Sequence, residues 1–561
     1  MHDGKKVLNF YLEIMKQHNM KIISSIVFFL YSFITVEGND GYKRNYSVDI
    51  LNYNFSISVN DTNNIILGHS EITLHFVGAI KTLAFDLKNK SIDGRGMSVQ
   101  NVSFDKGSLI WTHIDNKIII TFTDSVRPDT QGIVSIDYSG VPGDGLIISD
   151  NKFGMRTFFA DNWPDRARNW LPCIDHPYDK ATVDFKVTSP DHYEVVGSGQ
   201  LVEESCMPHH TKLTHWKEDV PLATKVMAIG IANFASRLEG NINGTPVWSW
   251  VFAENRTEGF NDYSAGMKPL AFYCKLLGPY PYEKLANVQS KTIFGGLENA
   301  GCIFYSENSV TGKGKAENLM AHEIAHQWFG NSVTENDWHH IWLSEGFATY
   351  LTAVYQEKTY GKEKFDETMK TARDSVISLY LRKPGPIVDT TVTDLMKLLN
   401  HNTYQKGAWV LHMLRRELGD EVFWQGMKSY YEKFRDKNAL TIDFQREMEK
   451  ASRKDLNSFF KQWLFVAGQP DLKIKSINAD KKGFIDIIIE QTQNRLFSFD
   501  IELQIKDSKS SYLLKIPVSE RITIKTIKTQ EITEIIPDPN TNLLFRLILP
   551  PRHKDSKGSP R

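Results

Sequence analysis

Cysteine is scarce in this chain. There are four in 561 residues, at Cys173, Cys206, Cys274 and Cys302, too few for a disulfide scaffold. One or two bridges are compatible with that number in an oxidising compartment, with the pairing left open. An excess of charge of either sign is also lacking. Lys and Arg number 66 against 67 Asp and Glu, a net charge of −1 with no basic stripe in the body of the chain, so nucleic-acid partners are not indicated. Long apolar runs are missing except near the N-terminus, and the others are too short to span a bilayer, so no stable membrane span is expected. Internal repeats are absent. What remains is an ordinary globular composition, 41% hydrophobic, in a chain long enough for several domains and a large core.

The apolar exception runs from Met20 to Gly38. It has a positive start, an apolar stretch of about 15 residues and small residues at its end, the layout of a secretory signal. The polar residues ahead of it imply either a long leading region or a true start at Met20. Cleavage near Gly38 is the expectation, which makes the protein secreted or periplasmic. An uncleaved signal anchor facing outward is the rival.

Three regions of different periodicity follow. Residues 41–240 are strand-like and punctuated by turns, as in Val48–Tyr53, Glu71–Phe76 and Lys117–Phe122. Residues 241–465 carry helical periods. Residues 470–549 alternate with period two, as at Phe484–Ile489 and Phe499–Ile505, and read as a small β-sandwich. The tail, 550–561, is polar and basic and is expected to be disordered. The fold class is therefore multidomain α+β.

The segment Met320-Ala-His-Glu-Ile-Ala-His-Gln-Trp-Phe329 carries the chemistry. His322 and His326 are four residues apart, so on a helix they project from one face, one turn apart. Two imidazoles so placed reach one metal ion at about 2.0–2.1 Å. Glu323 stands beside the first of them, placed to take a proton from the attacking water rather than to bind metal. A catalytic zinc needs a third protein ligand. Eighteen residues separate His326 from Glu345, which lies near the start of an apolar helix expected over Leu343–Tyr355. A carboxylate on such a helix needs a partner, and a zinc ion is a suitable one. The expected cofactor is one Zn²⁺ per chain, held by His322, His326 and Glu345. Thr349, one turn after Glu345, is placed either to bond a ligand's free edge or to pack the helix. The neighbours His339 and His340 point apart on a helix or strand and are not read as ligands. Zinc beside a carboxylate is the equipment of an amide hydrolase, without saying which bond is cut.

A second segment, Thr292-Ile-Phe-Gly295-Gly296-Leu297-Glu298-Asn299, sends a β-like run into a glycine pair and then an acid. Glycine lets a substrate backbone come close, and the glutamate beside it can bind an ammonium. Taken alone, the pattern is also that of a turn.

Taken in order, Gly295–Asn299, His322–His326 and Glu345 resemble the gluzincin metalloaminopeptidases of the aminopeptidase N family, which also contains the leukotriene hydrolases. The similarity runs from about Tyr46 to about Leu549. The resemblance implies a saddle-like N-terminal β-domain and a thermolysin-like, mostly helical zinc domain. It implies that the edge-strand backbone at Gly295 and Gly296 pairs with a peptide, and that Glu298 grips the free α-amine. It also implies that Tyr404, in Asn402-Thr-Tyr-Gln-Lys-Gly407, donates its hydroxyl to the oxyanion. The substrates would then be peptides with a free N-terminus, cut at the first peptide bond. Leu297 and Gly296, near the first specificity pocket by the same resemblance, point to medium or large apolar residues.

The chain departs from this pattern in two places. An N-terminal-domain loop of the family carries a Gln or Glu that helps hold the amine. Aligned on Arg168 and Pro172, that position holds Trp163, whose indole is a donor only and offers an ammonium no more than a cation–π contact. Trp163 is expected to border the first pocket, with Asp161 as a possible replacement acid. The second departure is that the sequence after Trp463 is too short, and wrongly patterned, for the helical-repeat domain that caps larger relatives, so a more open cleft is expected. Endopeptidase or epoxide-hydrolase chemistry at the same metal, or a non-catalytic peptide-binding protein, are the other readings.

Overall fold

The computed structural model describes residues 40–549 apart from 479–482, 509 and 530. The signal-like segment up to Gly38 and the basic tail lie outside the described residues.

The strand-like first region forms sheets because its apolar residues alternate. In Ile66–Phe76 every second residue is buried, and Ile72, Leu74 and Phe76 are sealed from solvent. A seven-stranded sheet runs in the order Gln200–Met207, Thr211–Leu222, Ala181–Pro190, Val48–Ser58, Ile66–Phe76, Thr130–Val141 and Gly96–Phe104. Within it Val48–Ser58 and Ala181–Pro190 are parallel and the other neighbours antiparallel. Sheets of three and four strands complete this β-rich region.

The next sheet carries the site. Its order is Phe234–Ile242, Thr245–Phe252, Leu285–Ser290, Cys302–Ser306 and Gly296–Leu297, so the two-residue strand is its edge. The first two strands are a hairpin turning through Asn243 and Gly244, both at positive φ, which is the chemistry of a tight hairpin turn. The boundary expected at 241 therefore falls inside this hairpin. Period-two alternation reveals a strand but not the sheet it joins, so Phe234–Ile242 was indistinguishable from the β-region before it.

Helices dominate from Glu317 onward. The metal-motif helix is Glu317–His326, and the helix carrying Glu345 is Trp342–Tyr360, longer at both ends than its apolar core. A π-helical turn, Asn402–Lys406, leads into the helix Gly407–Leu418. After the last helix, Asn457–Leu464, come two sheets. One joins Ile522–Lys528, Phe484–Gln491, Asp471–Asn478 and Arg546–Leu547, and the other Ser511–Val518, Phe499–Lys506 and Glu534–Pro537. Their buried faces are built by Ile485, Ile487 and Ile489 and by Ile501, Leu503 and Ile505, the residues the alternation picks out. The four cysteines are free, and three of them are buried. No helix among the described residues is long and apolar enough to cross a membrane.

Buried charge ties the β-rich region to the metal-bearing one. Lys225, in the short turn Thr224–Val226, pairs with Glu335 of the strand Val333–Glu335, and both are sealed from solvent. Its ammonium also stands 5.5 Å from the centre of the Trp338 ring. Nearby, Lys180 donates to the carbonyls of Asn331 and Ser332, each at 2.8 Å, in the turn just after the metal helix. Breaking a buried pair by removing one partner leaves an uncompensated charge and costs about 3–5 kcal/mol. We expect Lys225→Met to lower unfolding free energy by that amount in urea titrations. A change of less than about 1 kcal/mol, the scale of an exposed pair, would contradict the role assigned to this contact.

Candidate metal centre and substrate edge

One turn of helix brings His322 and His326 together. Their Nε2 atoms lie 3.1 Å apart, and Oε2 of Glu345 is 3.4 Å from the first and 3.3 Å from the second. Ligands about 2.0–2.1 Å from a tetrahedral zinc are separated by about 3.3–3.4 Å, so the three atoms already stand at the corners such an ion requires. They are the one such cluster of His, Cys, Asp or Glu among the described residues. Two imidazoles and one carboxylate are the donor set of a catalytic zinc with its fourth position open.

Several local features hold this triangle. Nδ1 of His326 meets the Ser344 hydroxyl at 3.0 Å and the Phe329 carbonyl at 3.3 Å, contacts that fix the ring and turn Nε2 to the metal position. Gly330, at φ +125°, makes the Ser344 contact possible, because a Cβ there would lie 2.3 Å from the Ser344 hydroxyl oxygen. Glu345 sits in the first turn of its helix, where the helix dipole favours a carboxylate. Thr349 donates to the main-chain carbonyl of Glu345 at 2.7 Å, so it serves the helix and not a ligand's free edge. His339 and His340 belong to a short turn and bond elsewhere, to the Val392 carbonyl and the Thr441 hydroxyl.

Glu323 reaches from the same helix to the edge strand. A Cβ on Gly296 would fall 2.3 Å from its Oε1, so the missing side chain at Gly296 leaves the space that the carboxylate occupies. Burial raises the proton affinity of Glu323 well above the usual carboxylate range; His326 opposes this, and Glu298 and Glu345 add to it. The Tyr404 ring stacks on the His322 ring, with centres 6.0 Å apart and planes at 13°. Burial, and then the charges of Glu345 and Glu298, push its hydroxyl well above its ordinary pKa, so it stays protonated. Tyr404 owes its place to two glycines: Gly346 and Gly407 let their helices touch, and a Cβ on Gly407 would lie 2.9 Å from the Gly346 Cα.

The edge strand pairs with Cys302–Ser306 through Gly296 opposite Tyr305, and the Gly295 carbonyl accepts from the Ser306 amide at 3.0 Å. Gly295 is exposed, and Leu297 is buried beneath the strand. Glu298 follows directly. It is 5% exposed, and its Oε1 is buried with no hydrogen-bond partner among the described residues. Its charge is close enough to act on both metal-motif histidines.

Asp161 does not stand free as a replacement acid. One oxygen pairs with Arg166, and the other accepts from the Thr292 hydroxyl and the Ile293 amide, both at 3.0 Å. Its carboxylate is used to pin the segment that enters the glycine pair. Trp163 lies edge-on to Phe294 and to Trp338, with ring centres 5.9 and 5.8 Å apart. It is buried, and its indole N–H has no acceptor among the described residues.

Sequence reasoning passed over Ser344, Gln327 and Asn331. All three are completely buried; Gln327 and Ser344 are polar residues that each adjoin a metal ligand in an apolar stretch, which was the available signal, whereas Asn331, between Gly330 and Ser332, carries no such signal.

The site and fold together define a metallopeptidase of the two-histidine, one-glutamate type. Residues 263–463 match the peptidase family M1 domain, and residues 50–226 match the peptidase M1 N-terminal domain. The chain belongs to peptidase family M1. It is 26% identical over 449 residues to a probable aminopeptidase 2 of Sulfurisphaera tokodaii, covering 76% of this chain and 56% of that protein. It is 29% identical over 349 residues to human endoplasmic reticulum aminopeptidase 2, covering 58% and 36%. This chain thus spans from about a third to just over half of the length of these relatives. The crystal structure of an M1 zinc metallopeptidase from Deinococcus radiodurans shares the fold, with a TM-score of 0.65 and 23% identity over 76% of this chain and 95% of that one.

The Gly346–Gly407 contact gives a direct test of how Tyr404 is placed. Overpacking of this kind costs about 1–3 kcal/mol, and if Tyr404 has the oxyanion role that the resemblance implies, displacing it costs further barrier height. We expect Gly407→Ala to lower the melting temperature and to reduce kcat more than it raises KM. An unchanged kcat would show that Tyr404 is not held by this contact.

Proposed function

We propose that the protein is a zinc-dependent aminopeptidase that releases single residues from peptides with a free N-terminus. The observation that carries this reading is the orphaned carboxylate oxygen of Glu298, buried at the end of an edge strand whose other neighbour is Glu323. A buried unpaired carboxylate is costly, and an incoming ammonium supplies the missing partner.

His322, His326 and Glu345 would hold the zinc, which when bound acts as a Lewis acid and acidifies water. The chain's own residues do the rest. The edge strand at Gly295 and Gly296 accepts a peptide main chain as an added strand. Glu298 binds its α-ammonium. Glu323, beside the metal ligands on the same helix, takes a proton from the attacking water and delivers it to the departing amine. The Tyr404 hydroxyl, kept protonated, donates to the developing oxyanion, a contact worth about 2.7–4 kcal/mol of barrier. Because Glu298 and the metal ligands are fixed relative to one another, only the first peptide bond satisfies both ends.

The assay is hydrolysis of a panel of aminoacyl-p-nitroanilides, with and without chelator, beside Glu298→Ala. Chelator-sensitive release that falls by at least about a hundredfold in the variant is expected. Cleavage of N-acetylated peptides as fast as free ones would overturn the reading in favour of an endopeptidase, and zinc-loaded protein that cleaves nothing would favour a binding protein.

Export belongs to the same proposal and is supported by the pattern at Met20–Gly38. N-terminal sequencing of the protein made in an export-competent cell should find a new terminus near Gly38 in the exported fraction. Retention in membranes with that segment intact would establish a signal anchor instead.

A further inference from the structure

Glu298 must present its carboxylate at a set distance from the metal ligands, yet Oε1 has no hydrogen bond to orient it. Its placement comes from the main chain, and two buried primary amides hold that main chain. Nε2 of Gln327 donates to the Glu298 carbonyl at 2.9 Å, and Nδ2 of Asn331 donates to the same oxygen at 2.6 Å. The other end of the Gln327 amide accepts from the Gly301 amide at 2.9 Å and from the Tyr280 hydroxyl at 3.2 Å. One side chain therefore ties both sides of the turn from 298 to 301.

The same two residues are fastened to the metal helix. Gln327 follows His326 in sequence, and the main-chain N–H of Asn331 donates to the His326 carbonyl at 3.1 Å. Lys180 holds the Asn331 carbonyl from the β-rich region. Gln327 and Asn331 are both sealed from solvent, so neither touches a peptide in the cleft.

We infer that Gln327 and Asn331 are positioning residues that set the distance between the amine-binding carboxylate of Glu298 and the metal ligand His326, and so set the preference for ligands bearing a free α-amine. This inference rests on the aminopeptidase reading. Buried amides that merely satisfied a carbonyl would affect stability and leave that preference alone.

The test uses the zinc-loaded full chain and two hydroxamates, leucine hydroxamate and its counterpart lacking the amine, 4-methylpentanohydroxamate. Both ligate zinc, and only the first reaches Glu298. Binding is measured by calorimetry for the wild type, for Gln327→Met, which keeps side-chain length, and for Asn331→Asp, which keeps shape and loses the donor. In each variant, affinity for leucine hydroxamate should fall by at least about tenfold, while affinity for the des-amino compound stays within about twofold and zinc stays bound. Equal losses for both compounds, or no loss for either, would overturn the inference. Asn331→Asp carries the test if Gln327→Met fails to fold. A wild type that binds both compounds equally overturns the aminopeptidase reading itself, before any variant is compared.

Discussion

The approach of His322, His326 and Glu345 to one another is the constraint on which the rest depends. Three groups whose function is to donate lone pairs are pressed to within 3.1–3.4 Å. Burial and the charges they place on one another make this a costly arrangement for the side chains alone, and a bound cation satisfies all three donors at once. The surrounding structure reads as scaffolding for this single arrangement. Helix pitch supplies the two histidines, Gly330 admits Ser344, and Gly346 with Gly407 admits the turn that carries Tyr404.

The second constraint is the density of carboxylates. Glu298, Glu323 and Glu345 are each no more than 5% exposed and act on one another electrostatically. Such a group of acids is stable only if each has a cationic or protonated counterpart, and their counterparts differ. Glu345 faces the two histidines. Glu323 accepts a proton readily. Glu298 is left with an oxygen that has no hydrogen-bond partner among the described residues. On the aminopeptidase reading, this asymmetry sorts three chemically similar residues into ligand, base and binding group by environment and not by residue type.

The metal site was legible because it lies in helices. A spacing of four residues has one geometric meaning on a helix, and the apolar flanks announced that the helix was buried. The β-regions were legible by alternation, as at Ile485, Ile487 and Ile489. The sheet that a strand joins was not legible, since period two is the same in every sheet; hence the hairpin at Asn243–Gly244 crossed the expected boundary. The role of Asp161 was also hidden. An acid near an expected pocket looks like a binding group until its partners are known, and its partners, Arg166, Thr292 and Ile293, come from a neighbouring loop and from a segment far along the chain. Ser344, Gln327 and Asn331 were hidden for the same reason: a buried polar side chain shows in sequence as an exception, but what it bonds is decided by the fold.

These observations converge on the loop that holds Glu298. Asp161 is sealed from solvent and committed to Arg166, Thr292 and Ile293, and Trp163 is buried and able only to donate, so neither stands ready for an ammonium. The indole of Trp163 instead packs against Phe294 and so stiffens the approach to the glycine pair. On the aminopeptidase reading, recognition of the amine then falls on one carboxylate. A single point of contact discriminates well only if its position is exact to a fraction of an ångström, because one group cannot correct for another's misplacement. That requirement gives a physical reason for two buried amides on one carbonyl, an arrangement that a simple turn would not need. It also explains why the segment is anchored from three directions, by Asp161 ahead of the glycines, by Gln327 and Asn331 behind Glu298, and by the Val226 carbonyl, which accepts from the Ala300 amide at 3.0 Å.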